Sequence, residues 1–285
     1  MAALRLLALA LLLAAASPSA AAPLTCTPKK CTAARKGECF DEMLAEIKAA
    51  DAKPKGYGLI FYGDSIFESL RGTDKCRSCD SISTRSSCAE VPAVLTKYFG
   101  KYSPGVMGMS MDQSANLMWR LLNGQIPTKN KPKVVVINIG TNDFTNCGWS
   151  IKDRAQKETA LDQQLPGILQ RIKDDVGLIQ KGMPSAKVVI LGILPRGTGS
   201  GKGLPATQND MAWPSHYAKA TSKLNGLLKD FAAGDKSLSF VDCGALFIKG
   251  SQIDGKLMTD AVHPTKAGWE ALAKCLEPVV AKAWA

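Results

Sequence analysis

Short runs of consecutive apolar residues alternate along the chain with longer stretches in which apolar residues recur every three or four positions. Residues 57–62 (YGLIFY), 133–139 (KVVVINI), 187–194 (KVVILGIL) and 238–241 (LSFV) predict strands, with 106–109 a weaker fifth. Runs that are apolar at successive positions belong in a sheet covered on both faces. Between them, residues 114–122 place Leu117, Met118, Leu121 and Leu122 on one side. Residues 161–179 do the same with Leu165, Ile168, Leu169, Ile172, Val176 and Ile179, and 216–231 and 266–283 follow suit. These stretches predict amphipathic helices. Alternating strands and helices predict an α/β domain with a parallel sheet and right-handed crossovers. In such sheets ligands bind outside the carboxyl ends of the strands, so chemistry is expected in the residues that follow each strand.

The amino terminus falls outside this pattern. Arg5 precedes an apolar run at 6–16 (LLALALLLAAA), followed by small residues (SPSAAA). A basic start, a short apolar centre and a small-residue cleavage zone predict a secretory signal peptide over 1–22. The run is too short to span a bilayer, and a plastid-type leader would carry more Arg and Ser. The domain organisation expected is thus a leader (1–22), a cysteine-containing extension (23–55) and the α/β domain (56–285). With 46% hydrophobic and 21% charged residues among 285, disorder and fibrous classes are excluded.

Secretion accounts for nine cysteines, because thiols pair in oxidising compartments. Cys26, Cys31 and Cys39 form one cluster, Cys76, Cys79 and Cys88 a second, and Cys147, Cys243 and Cys275 stand apart. The odd count leaves at least one thiol unpaired or bridged to another chain, and Cys275, within a predicted helix, reads as a free core thiol. A metal or redox role for Cys76-Arg-Ser-Cys79 is disfavoured. No second pair stands at metal spacing, and no strand and helix flank it as in redox motifs. Disulfides are expected, with their connectivity open. The net charge of +11 is scattered along the chain without interleaved aromatics, which argues against a nucleic-acid partner and leaves an acidic surface or substrate as the only hint.

The strand ends carry a consistent set. Gly63-Asp64-Ser65-Ile66 follows the first strand, Gly108-Met109-Ser110-Met111-Asp112 the weak one, and Gly140-Thr141-Asn142-Asp143 the next; Asp260-Ala261-Val262-His263 precedes the last helix. A serine hydroxyl needs a base to become nucleophilic, and histidine serves best near neutrality. Of the two histidines, His263 has an acid three residues before it, whereas His216 has none close by. Asp260 can fix the tautomer of His263 and stabilise its imidazolium. Asn142 and the backbone N–H of Ser65 are candidate oxyanion donors. Other features read more plainly: Asp64 as a turn organiser, His216 as a packed or solvent-facing residue at a helix start, and Trp213 and Tyr217 as rim or packing residues. The glycine-rich loop 197–203 lacks phosphate-loop spacing and reads as a surface loop. The Gly-x-Ser-x-Gly elbow is absent.

In these blocks the chain resembles the SGNH (GDSL-type) hydrolases over about residues 57–282. Ser65 matches the nucleophile block, Asn142 the amide oxyanion donor, and Asp260 with His263 the acid–base pair. Leu117-Met118-Trp119-Arg120-Leu121, Pro132-Lys133-Val134 and Leu191-Gly192-Ile193-Leu194-Pro195-Arg196-Gly197 are similar to the catalytic subunits of intracellular platelet-activating-factor acetylhydrolases. The resemblance implies a flavodoxin-like three-layer α/β/α sandwich and ester hydrolysis through an acyl-enzyme, with no metal or cofactor. The expected substrate is a short acyl ester, acetyl foremost, of a lipid or carbohydrate. Two departures stand out. The family places a glycine before the block's aspartate and uses its N–H in the oxyanion hole, whereas here Met111 precedes Asp112 and Gly108 lies three positions earlier. Either Met111 donates in an ordinary conformation, or the loop shifts and Gly108 serves. Residues 71–94, with three cysteines, read as an insertion beside the nucleophile. A catalytically weak binding protein, if Met111 spoils the hole, and an acyltransferase using the same serine are the competing readings.

Overall fold

The computed structural model describes residues 34–81, 88–146, 151, 153–198 and 206–285. The leader, Cys26, Cys31, Cys147, residues 82–87 of the insertion and residues 199–203 of the glycine-rich loop lie outside the described residues.

In chain order the elements are α1 (Ala34–Asp51), β1 (Leu59–Gly63), α2 (Ser65–Glu68), β2 (Thr73–Asp74), β3 (Arg77–Ser78), α3 (Val91–Phe99), β4 (Pro104–Gly108), α4 (Ser114–Arg120) and β5 (Val134–Asn138). They continue with α5 (Thr141–Asn146), α6 (Arg154–Gly182), β6 (Lys187–Leu191), α7 (Ala218–Ala233), β7 (Leu238–Val241), β8 (Ile248–Lys249), β9 (Gln252–Ile253) and α8 (Lys266–Trp284). β4, β1, β5, β6 and β7 lie in that order in one sheet, every pairing parallel. Strand alternation divides the core in two. Ile60, Tyr62, Val135, Ile137, Val188 and Ile190 pack beneath α1, α4, α6 and α7. Leu59, Phe61, Val134, Val136, Val189 and Leu191 pack beneath α2, α3 and α8. This is the expected three-layer α/β/α sandwich, and each fully buried aliphatic or aromatic side chain contributes about 1.5–3 kcal/mol relative to exposure.

The chain leaves β1 for β4 on one side and returns to β5 on the other, which opens a crevice at the carboxyl ends of these three strands. Two glycines let the first turn after β1 settle onto the sheet. A Cβ on Gly63 would lie 2.3 Å from the carbonyl oxygen of Asn138, and one on Gly108 would lie 2.2 Å from the backbone nitrogen of Glu68. Only glycine permits approaches this close.

Several elements differ from the sequence reading, among them α3, whose first turn lies in residues read as insertion and buries Val91 and Val94. α6 begins seven residues before its apolar periodicity, because Asp153 caps it by accepting from the backbone N–H of Gln156 at 2.8 Å. Residues 154–160 (RAQKETA) carry no large apolar side chain and so give no apolar periodicity. α1, within the segment read as an extension, shares the core through Phe40, Met43 and Ile47. Arg71 donates to both carboxylate oxygens of Glu46 on α1 (2.8 and 2.6 Å) and to the Val106 carbonyl of edge strand β4 at 3.0 Å.

Cys39 pairs with Cys76, Cys79 with Cys88, and Cys243 with Cys275. Cys76 and Cys79 therefore belong to different bridges, and the short Cys-x-x-Cys spacing is not a functional pair. Cys275 is not a free thiol. Its place on the inner side of α8 brings its Cα to 6.1 Å from that of Cys243 just after β7, within bonding geometry.

Candidate active site

Ser65 opens α2 at the end of β1. Asp64 caps this short helix, its carboxylate accepting from the backbone N–H of Ile66 at 2.9 Å. Asp64 is fully buried, and that burial, with Asp112 nearby, pushes its carboxyl up to about 7. It organises the turn, as its position suggested.

The hydroxyl of Ser65 lies 2.8 Å from Nε2 of His263, and Nδ1 of the same ring lies 2.5 Å from a carboxylate oxygen of Asp260. The tautomer that satisfies both contacts carries its proton on Nδ1 and accepts from Ser65 at Nε2. The second oxygen of Asp260 accepts from the backbone N–H groups of Val262 (3.1 Å) and His263 (2.8 Å). One carboxylate thus folds the turn and orients the ring. Ala261 takes a left-handed φ of 61° inside it, its carbonyl accepting from the N–H of Gly197 at 2.9 Å. Thr265 then caps α8.

Across the crevice, Met111 adopts φ 66° and its side chain is 64% exposed. Neither alternative foreseen for this loop describes it: the methionine itself takes the left-handed conformation, at a cost of about 1–2 kcal/mol relative to glycine. Gly108 stays inside β4, paired with Gly63 and packed under α2. Asn142, near the start of α5, donates one amide hydrogen to the carbonyl of Asp112 at 3.0 Å, which leaves its second for another acceptor.

Buried groups to which the sequence reading gave no role support this side. Arg120, fully buried, donates to Asp112 (2.7 Å), to the carbonyls of Met107 and Gly63 (3.0 Å each) and to Gln125. Asp143, next to Asn142, accepts from the N–H and hydroxyl of Ser114 and from Arg171 at 3.0 Å. Arg196 donates to the carbonyl of Thr141 at 3.1 Å, and its guanidinium lies 5.4 Å from the centre of the Tyr217 ring. One cue was legible: Arg120 stands on the apolar face of a predicted helix, three residues after Leu117.

The remaining candidates settle as packing residues. His216 is 6% exposed, and its ring centre lies 3.9 Å from that of Tyr217. Burial, then Lys157, Arg154 and Arg196, push it down to about 4. Tyr217 stacks with Phe144. Trp213 lines a cavity of about 860 Å³ with Ile193, Asn225 and Phe240, apart from Ser65 and His263.

A family model described as "GDSL-like Lipase/Acylhydrolase family" matches residues 61–271. Among curated relatives, platelet-activating factor acetylhydrolase IB subunit alpha2 of Homo sapiens is 27% identical over 234 residues, covering 81% of this chain and 79% of that protein. Subunit alpha1 of Rattus norvegicus is 23% identical over 235 residues, with 81% and 78% covered. Among solved structures, a GDSL-like lipase from Bacteroides thetaiotaomicron superposes with a TM-score of 0.56 at 19% identity, covering 86% of this chain and 98% of that one.

Proposed function

The chain belongs to the GDSL-like lipase/acylhydrolase family, and from that premise we propose that it is a secreted serine esterase removing short acyl groups, acetyl foremost, from a lipid or carbohydrate. The observation that carries the reading is the unbroken relay from Ser65 through His263 to Asp260, with contacts of 2.8 and 2.5 Å.

In this mechanism the Ser65 oxygen attacks the ester carbonyl as its proton passes to Nε2 of His263. Asp260 holds the ring and stabilises the imidazolium. The carbonyl oxygen becomes an oxyanion and accepts from the backbone N–H groups of Ser65 and Met111 and from the free amide hydrogen of Asn142. Collapse expels the alcohol, which takes the proton back from His263, and leaves acyl-Ser65. Water repeats the sequence with His263 as base, releasing the carboxylic acid and regenerating the serine. Gly108 serves by packing, and Met111 is the donor.

The acetyl preference draws support from the relatives named acetylhydrolases. Secretion draws support from the three disulfides and the apolar leader. No helix among the described residues is long and apolar enough to cross a membrane. The test is Ser65→Ala: hydrolysis of p-nitrophenyl acetate falls by at least about 10⁴-fold with an unchanged circular dichroism spectrum. Retained turnover, or a wild-type enzyme whose Ser65 resists a fluorophosphonate probe, sinks the assignment.

A further inference from the structure

We propose that Glu68 and Asp74 are positioning residues that hold Met111 in the left-handed conformation, and that the Cys39–Cys76 disulfide anchors the segment supplying Asp74. The inference rests on the reading of Met111 as an oxyanion donor.

A left-handed methionine persists only where its surroundings over-determine it. Its own side chain is largely exposed and cannot be the cause. The neighbours are held instead. Ser110 donates its backbone N–H to Glu68 at 2.5 Å and its hydroxyl to Asp74 at 2.8 Å, and the N–H of Lys75 reaches the same hydroxyl at 3.3 Å. On the other side, the N–H of Asp112 donates to the carbonyl of Met109 at 3.2 Å, while its side chain is fixed by Arg120. Met111 is the free corner between two clamped residues.

The clamp on Ser110 is shared between α2, through Glu68, and the insertion, through Asp74. Glu68 is fully buried, and its second oxygen accepts from the N–H of Cys76 at 2.6 Å. Cys76 is covalently tied to Cys39 on α1. Lys75 and Cys76, the two residues that turn the chain from β2 into β3, both have positive φ (50° and 63°), and it is from this turn that the Cys76 N–H reaches Glu68. α2 and the inserted segment therefore supply by hydrogen bonding the backbone conformation that a glycine would adopt unaided.

The experiment is a double-mutant cycle on acyl-transfer rate, with Asp74→Ala and Met111→Gly made singly and together. Asp74→Ala lowers kcat for p-nitrophenyl acetate about tenfold, equivalent to ~1.4 kcal/mol, with KM within about twofold. In the Met111→Gly background the same change costs less than about twofold, because glycine needs no clamp. Ser110→Ala behaves as Asp74→Ala does and replaces it if the latter melts early. Cys39→Ser with Cys76→Ser loses activity in the same direction and is likewise rescued. An undiminished kcat in Asp74→Ala and Ser110→Ala, or an equal loss in both backgrounds, overturns the clamp while wild-type Ser65 still labels with fluorophosphonate. Absence of that labelling brings down the esterase reading, and the clamp with it.

Discussion

The two sides of the crevice reach the same precision by opposite routes. On the acid–base side, one aspartate three residues before the histidine folds the turn and orients the ring, so the geometry is nearly all local. On the oxyanion side, Met111 and Asn142 are placed by contacts among α2, the β2–β3 insertion, α4, α5 and α6. A local device tolerates change elsewhere in the molecule. A distributed one passes distant changes on to the chemistry.

The largest expected effect lies in the local turn. Asp260→Asn should lower kcat about 10⁴-fold while leaving the melting temperature nearly unchanged, because the amide oxygen still accepts from the turn while the ring loses its anionic partner; steady-state kinetics and a thermal melt check both halves. A loss below about tenfold would break the comparison, since the turn would then not be the source of basicity. Asn142→Ala should cost on the order of 10²–10³ in kcat, the usual effect of losing one oxyanion donor. Its KM should hardly move.

The disulfides sharpen the contrast. Cys243→Ser with Cys275→Ser should lower unfolding free energy by about 2–4 kcal/mol in urea titration, as expected for a bridge closing a loop of this size. Its kcat should remain within about twofold of wild type at temperatures where the variant is folded, because Asp260 itself folds the turn and orients the ring. Of the two long-range bridges among the described residues, only Cys39–Cys76 should reach the rate.

The smallest effect concerns pH. The imidazole of His216 titrates near 6.5 when unfolded and about 4 when folded, so between these values the unfolded chain binds more protons and stability rises with pH. Buried Asp64, held near 7, gives the opposite slope from about pH 4 to 7. Urea midpoints of wild type and His216→Gln at pH 4.5 and 7 isolate the histidine: the variant should lose less stability on acidification and differ little at neutrality. An identical pH response in the two proteins would show that His216 is not held neutral.

This contrast also explains what the sequence revealed. β5 and β6 are visible because consecutive β-branched residues suit nothing but a strand covered on both faces. Asp260 and His263 are visible because three residues of separation force them together. Ser65 and Asn142 stand immediately past strand ends, where a parallel sheet puts its chemistry. The supports of Met111 are not visible: Glu68 and Ser110 are separated by 42 residues, and Asp74 and Ser110 by 36. No periodicity links such pairs. α1 was missed because Phe40, Met43 and Ile47 sit among charged neighbours that mask a sound helical spacing. Cysteine pairing was illegible for the same reason as the clamp, since proximity in the fold decides it.

The separation of 198 positions between Ser65 and His263 has a consequence for biosynthesis. At roughly 5–20 residues per second, the serine emerges about 10–40 s before its base is made. α8, which follows the histidine turn, packs Trp269 against the nucleophile helix and donates from its indole to Ser69 at 2.8 Å. In the proposed mechanism a nascent chain thus carries an inert hydroxyl for most of its synthesis, and the relay closes only after the histidine turn is made.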